Sequence, residues 1–155
     1  MKVLQAVAFT LSCGLALPQA VAAQGQAVLE DAWVRALPPT QTNTAAYMTV
    51  RNPGSEPLTI SGGSTALAER VELHDTAEVD GMLRMRQQES VTVPAGGSVD
   101  FAPGGLHLML LGLERMPAAG EVLELCLDID GESVCTEAET RRTPAGSGHD
   151  HQHHQ

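Results

Sequence analysis

Basic side chains are scarce in this chain of 155 residues: Lys2 is its one lysine, and eight arginines stand against nineteen aspartates and glutamates. The formal net charge of −10 speaks against nucleic acid and anionic membrane as partners, because both recruit clustered cations. Aromatic residues make up only 3%, so a core has to be assembled from Leu, Val, Ile, Ala and Met, with Trp33 as its expected aromatic anchor. No glycine loop is followed by a lysine that could reach a phosphate. Three cysteines are present, none in a protease-like pairing with histidine, and no paired carboxylates accompany the donor residues discussed below. An enzyme is therefore not expected. Neither a long amphipathic helix nor an internal repeat is visible.

Residues 1–23 read as an export signal. Met1-Lys2 gives a short positive start, Val3 to Leu17 is mostly apolar, and Ala20-Val21-Ala22-Ala23 supplies small residues for cleavage near Gln24. The apolar run is broken by Gln5, Thr10, Ser12 and Cys13 and is short for a membrane span. No membrane insertion of the mature chain is expected. Lipid attachment at Cys13 is the alternative, although Thr10-Leu11-Ser12-Cys13 falls inside the apolar run rather than after it. Cleavage removes Lys2 and leaves a charge of 8 − 19 = −11. The remainder suffices for one domain with a sizeable core, assigned to residues 24–142.

Glycine and proline punctuate that domain at Asn52-Pro53-Gly54, Gly62-Gly63, Asp80-Gly81, Pro94-Ala95-Gly96-Gly97, Pro103-Gly104-Gly105 and Asp130-Gly131. Between them lie short β-branched or alternating runs, among them Ala46 to Val50, Val91 to Val93 and Val122 to Ile129. Short strands divided by regular turn signals predict an all-β, antiparallel sandwich.

Four side chains in the middle of this region have the chemistry of a soft-metal site: His74, Met85, His107 and Met109. Thioether sulfur and neutral imidazole suit monovalent copper, whereas magnesium, calcium and manganese call for oxygen ligands. In Leu106-His107-Leu108-Met109-Leu110 leucine alternates with donor, which places His107 and Met109 on one face of a strand. Asp80-Gly81 at the centre of a two-residue hairpin makes opposed residue numbers sum to 161. Thr76 then faces Met85 and His74 faces Gln87, so His74 and Met85 are diagonal neighbours on one face, with Met82 on the other. Taken singly, a strand methionine is most often a core gap-filler; the pairing of two donors opposite leucines is what lifts this set above that reading.

The pattern His-x10-Met-x21-His-x-Met resembles the motif of the periplasmic PCuAC copper chaperones, matched here at all four positions. The surroundings Val71-Glu72-Leu73-His74, Gly81-Met82-Leu83-Arg84-Met85-Arg86 and Pro103-Gly104-Gly105-Leu106-His107-Leu108-Met109 are similar too, and the likeness runs from about Trp33 to Thr140. It departs at Asp75 and Thr76, where relatives often carry further methionines. The resemblance implies a cupredoxin-like β-sandwich in the periplasm that binds one Cu(I) ion and passes it to a copper-accepting protein of respiratory cytochrome oxidase assembly. Two other readings stay open: a periplasmic copper buffer, and an electron-transfer cupredoxin, which would need a Cys ligand beside its histidines. A monomer is expected.

With Asp130-Gly131 at a second turn centre, opposed numbers sum to 261, so Cys126 faces Cys135 in a non-hydrogen-bonded pair. A cross-strand disulfide is expected there, favoured by export; a thiolate copper site is the competing reading. After Thr140 the composition turns polar. Residues 143–155 read as a disordered tail, in which His149, His151, His153 and His154 form an expected Cu(II) site. An expression tag is the alternative, but tags are normally uninterrupted histidine runs, and the intervening Asp150 and Gln152 disfavour it.

Overall fold

A computed structural model describes residues 26–142. The expected signal segment, Cys13 and the histidines of the expected tail lie outside the described residues. Those described contain ten strands and no helix: β1 (Val28–Arg35), β2 (Thr44–Arg51), β3 (Leu58–Ser64), β4 (Ala68–Val79), β5 (Met82–Gln87), β6 (Val91–Val93), β7 (Ser98–Phe101), β8 (His107–Leu113), β9 (Val122–Ile129) and β10 (Glu132–Arg141). They pair in the order β5-β4-β8-β2-β1-β10-β9-β3-β6, with β7 on β2. An additional pairing between β3 and β4, through Gly63 and Val71, joins the two ends of a seven-strand circuit. The sandwich is thus closed as a barrel, and β5, β6 and β7 are appended to it. All pairings are antiparallel except that of β1 with β10, which run parallel with Trp33 beside Glu139 and Arg35 beside Arg141.

The two short hairpins arise directly from their turn residues. Asp80 and Gly81 both have positive φ, 55° and 76°, as do Asp130 and Gly131, 51° and 83°. That backbone conformation matches the right-handed twist of the strands it joins, and Asp-Gly tolerates it well. The registers follow: Thr76 opposes Met85, His74 opposes Gln87, and Cys126 opposes Cys135. The two cysteines are joined in a disulfide. Glu124 lies with them in a compact group of potential metal donors, but both sulfurs are consumed by the bond, which removes the thiolate reading.

Gly62-Gly63 does not form the expected turn. Both residues lie inside β3, where a Cβ on Gly63 would collide with the carbonyl oxygen of Cys126 on β9. Glycine here serves close strand approach rather than chain reversal. The barrel interior is filled by Val34, Ala46, Met48, Val50, Ile60, Leu73, Val93, Phe101, Leu108, Leu110, Leu125, Leu127, Ile129 and Ala138. Trp33 is buried but belongs to a second, small cluster with Ala45 and Tyr47, against which Met109 packs. The expected core anchor therefore supports the outer face of the barrel, where the donor residues lie.

Candidate metal centre

Alternation in β8 splits its side chains between two environments. Leu108 and Leu110 are fully buried in the barrel, so His107 and Met109 project from the outer face. The pairing of β4 with β8 brings a second strand into register: His74 lies opposite His107, and Glu72 opposite Met109. This contact was not derivable from the spacing, because β4 and β8 are distant in sequence. It converts two separate donor pairs into a single array, with Met85 delivered to the same face by the β4–β5 hairpin. The His74 and His107 ring centroids are 5.9 Å apart.

Each imidazole is held by one nitrogen and bare at the other. His107 Nδ1 lies 2.8 Å from the carbonyl oxygen of Gly105; a carbonyl only accepts, so Nδ1 carries the proton and Nε2 the lone pair. His74 Nε2 lies 3.0 Å from Glu72 Oε2, which in the same way assigns the proton to Nε2 and leaves Nδ1 as the free donor to a ligand. His74 Nδ1 and His107 Nε2 are both buried without a hydrogen-bond partner. Buried polar atoms are rarely left unpaired, since an unpaired one costs about 1–3 kcal/mol. Fixing the far nitrogen by a carbonyl or carboxylate is the arrangement that orients a metal-ligating histidine and raises its basicity. The hydrogen bond from His74, and secondarily the nearby Arg70, lower the pKa of Glu72, keeping its carboxylate ionised.

Met85, His107 and Met109 line a cleft of about 330 Å³ together with Arg35, Tyr47, Thr76 and Gly104. His107 is almost fully buried, Met109 partly so, while Met85 is 54% exposed. The array therefore has a closed floor and an open side at β5. Trp33 stacks on Tyr47 with centroids 4.5 Å apart, and the Arg35 guanidinium sits 5.3 Å from the Tyr47 ring centre. Burial raises the Tyr47 pKa, an effect that Arg35 partly opposes. Three larger clefts carry no histidine. Sequence reasoning missed Glu72, Tyr47 and Arg35 as parts of this site. Glu72 had a signal, since Glu72-Leu73-His74 repeats the alternation used for His107 and Met109.

The LpqE-like family, described as one of lipoproteins, matches residues 27–139. A protein of Leifsonia xyli subsp. xyli, also named as a lipoprotein, is 32% identical over 120 residues, covering 74% of this chain and 71% of that protein. Among solved structures, the Cu(I) form of DR1885 from Deinococcus radiodurans is 34% identical, with a TM-score of 0.61 over 78% of this chain and 84% of that one. The copper-bound PCuAC domain of PmoF2 has a TM-score of 0.64 at 24% identity, covering 79% of this chain and 97% of that domain, a likeness of fold. The closed β-barrel is accordingly that of the cupredoxin-like PCuAC domains, and by the extent of the family match the chain belongs to the LpqE-like family.

Proposed function

We propose that this protein is an exported copper carrier that binds Cu(I) through His74 Nδ1, His107 Nε2 and the sulfurs of Met85 and Met109, and releases it to an acceptor protein. The observation that carries the reading is the pair of buried, unpartnered ring nitrogens on directly opposed residues. Two thioethers on the same face complete a donor set suited to a soft monovalent ion. That the similar structures of PmoF2 and DR1885 are copper-bound supports the choice of metal. Holding the ion without a thiolate, beside an exposed Met85, favours release over permanent retention. The carrier reading is preferred to an electron-transfer cupredoxin because both described cysteines are bonded to each other. The acceptor implied by the family resemblance is a copper centre of respiratory oxidase; a buffer with no dedicated acceptor is the competing reading.

The lipoprotein description of the family supports export, and the signal segment 1–23 leaves the domain 24–142 and the tail 143–155. In this reading His149, His151, His153 and His154 collect Cu(II). Reduction, supplied by an outside agent, would then allow the ion to enter the core site, with the linker keeping the tail at high effective concentration. The test is copper stoichiometry under reducing conditions for the mature chain with and without its tail. About one equivalent of Cu(I) in the truncated form supports the core site; equal retention of zinc there would refute it.

A further inference from the structure

Strand β5 ends the strand order of the sheet, so one of its two edges is unpaired. All six of its residues are exposed. Six large apolar residues are markedly exposed among those described, and three of them lie here: Met82 at 54%, Leu83 at 74% and Met85 at 54%. An exposed apolar edge invites pairing with another strand, and proteins ordinarily cover or shorten such edges. The hydrogen-bond alternation identifies what this edge offers. Gln88 N donates to Leu73 O at 2.8 Å, which marks residue pairs such as 75 with 86 and 77 with 84 as the inward-bonded ones. The N–H and C=O groups of Leu83, Met85 and Gln87 therefore face outward. One of these residues is the exposed member of the donor array.

The side chains add polarity to this template. Arg51, Arg70, Arg115 and Arg141 each pair with a glutamate, whereas Arg84 and Arg86 make no ion pair among the described residues, even with Asp75 opposite Arg86. Between Met82 and Gln87 there is no carboxylate, in a chain that is otherwise strongly acidic. One face of β5 thus carries Leu83 and Met85, and the other carries Arg84 and Arg86. We infer that β5 is a docking strand for an extended segment of the copper-accepting partner, in which acidic residues alternate with apolar ones. Cross-strand pairing sets the acidic residues against the arginines and the apolar ones against Leu83 and Met85. The inference rests on the carrier reading and adds where the acceptor arrives: on the backbone of Met85 itself.

The mature chain, tail included, is titrated with a blocked heptapeptide Thr-Glu-Leu-Glu-Leu-Glu-Thr and with its counterpart bearing Lys in place of Glu, while amide exchange is followed by NMR. The Glu peptide is expected to protect the amides of Leu83, Met85 and Gln87 and to bind at least tenfold more tightly than the Lys peptide. In the double variant Arg84→Glu/Arg86→Glu the order of the two peptides reverses. Equal binding of both peptides, or protection away from β5, overturns the inference. So does concentration-dependent protection of β5 without peptide, which would mean that the edge pairs with a second copy. Copper stoichiometry measured on the same samples separates the two readings. Normal copper binding without peptide binding defeats the docking strand alone, and peptide binding without copper defeats the carrier alone.

Discussion

Met109 is the residue at which packing and coordination can be told apart. Its side chain rests on Trp33, Ala45 and Tyr47, so a bland role as filler predicts that leucine would serve as well. Met109→Leu is expected to keep the melting temperature within a few degrees while weakening Cu(I) at least tenfold in competition with a Cu(I) chelator. Unchanged affinity in the folded variant would remove Met109 from the donor set. Met85→Leu tests the other thioether at a position where exposure makes any cost in stability small. The common face of His107 with Met109, and of His74 with Met85, was legible in the sequence because strand alternation and a two-residue turn are both local rules. Their convergence was not: it depends on β4 lying against β8, a pairing fixed by barrel closure. Trp33 shows the same limit, since burial is readable from its size but not the face it occupies.

Among the elements, the β9–β10 hairpin and the β8–β9 connection make separable contributions. Cys126 and Cys135 close a loop of nine residues' separation, and removing that constraint frees the unfolded chain by about 2–3 kcal/mol. Cys126→Ala/Cys135→Ala should lower the melting temperature by roughly 10 °C and leave Cu(I) affinity within about twofold, because no donor lies on either strand. In the β8–β9 connection Glu121 accepts two hydrogen bonds from Arg115, at 2.6 and 2.9 Å, and a third from the backbone N–H of Ala118. Arg115 foremost, then that N–H, holds the Glu121 pKa down to about 2 from 4.5. A depressed carboxyl stabilises the fold above its unfolded pKa and ceases to do so as pH falls through its folded one. The gap in melting temperature between wild type and Glu121→Gln should therefore be full above pH 4.5 and close progressively towards pH 2. A gap that widened on acidification would contradict the assignment. Both Asp-Gly hairpins were readable to the register, because φ greater than zero at two consecutive residues leaves few alternatives. Gly62-Gly63 misled for the converse reason: glycine signals a special backbone need without saying whether that need is a turn or a close neighbour. Gly63→Ala should cost about 1–3 kcal/mol by forcing β3 from β9.

Across the whole molecule, the proposed function divides copper handling between a sulfur-bearing array on the outside of the barrel and the histidines beyond the described residues. Truncation after Thr143 is expected to abolish most Cu(II) binding and leave Cu(I) binding nearly intact, as measured by stoichiometry in both oxidation states; loss of the Cu(I) site on truncation would end that division. The sandwich class was legible from turn spacing, whereas its closure was not, because neither the parallel β1–β10 pairing nor the β3–β4 contact at Gly63 and Val71 is marked by a two-residue turn. That parallel pairing has a further consequence for how the chain matures. Trp33 meets Glu139 across 106 residues of sequence, so the first strand waits with one side unsatisfied until the last has been released. Contacts of such long range slow folding, and under the proposed export a chain threaded outward from its N-terminus cannot complete its barrel during translocation. If the proposed carrier reading holds, copper loading at His107 and Met109, whose supporting face is built on β1 and β2, becomes a late event, reserved for protein whose barrel is complete.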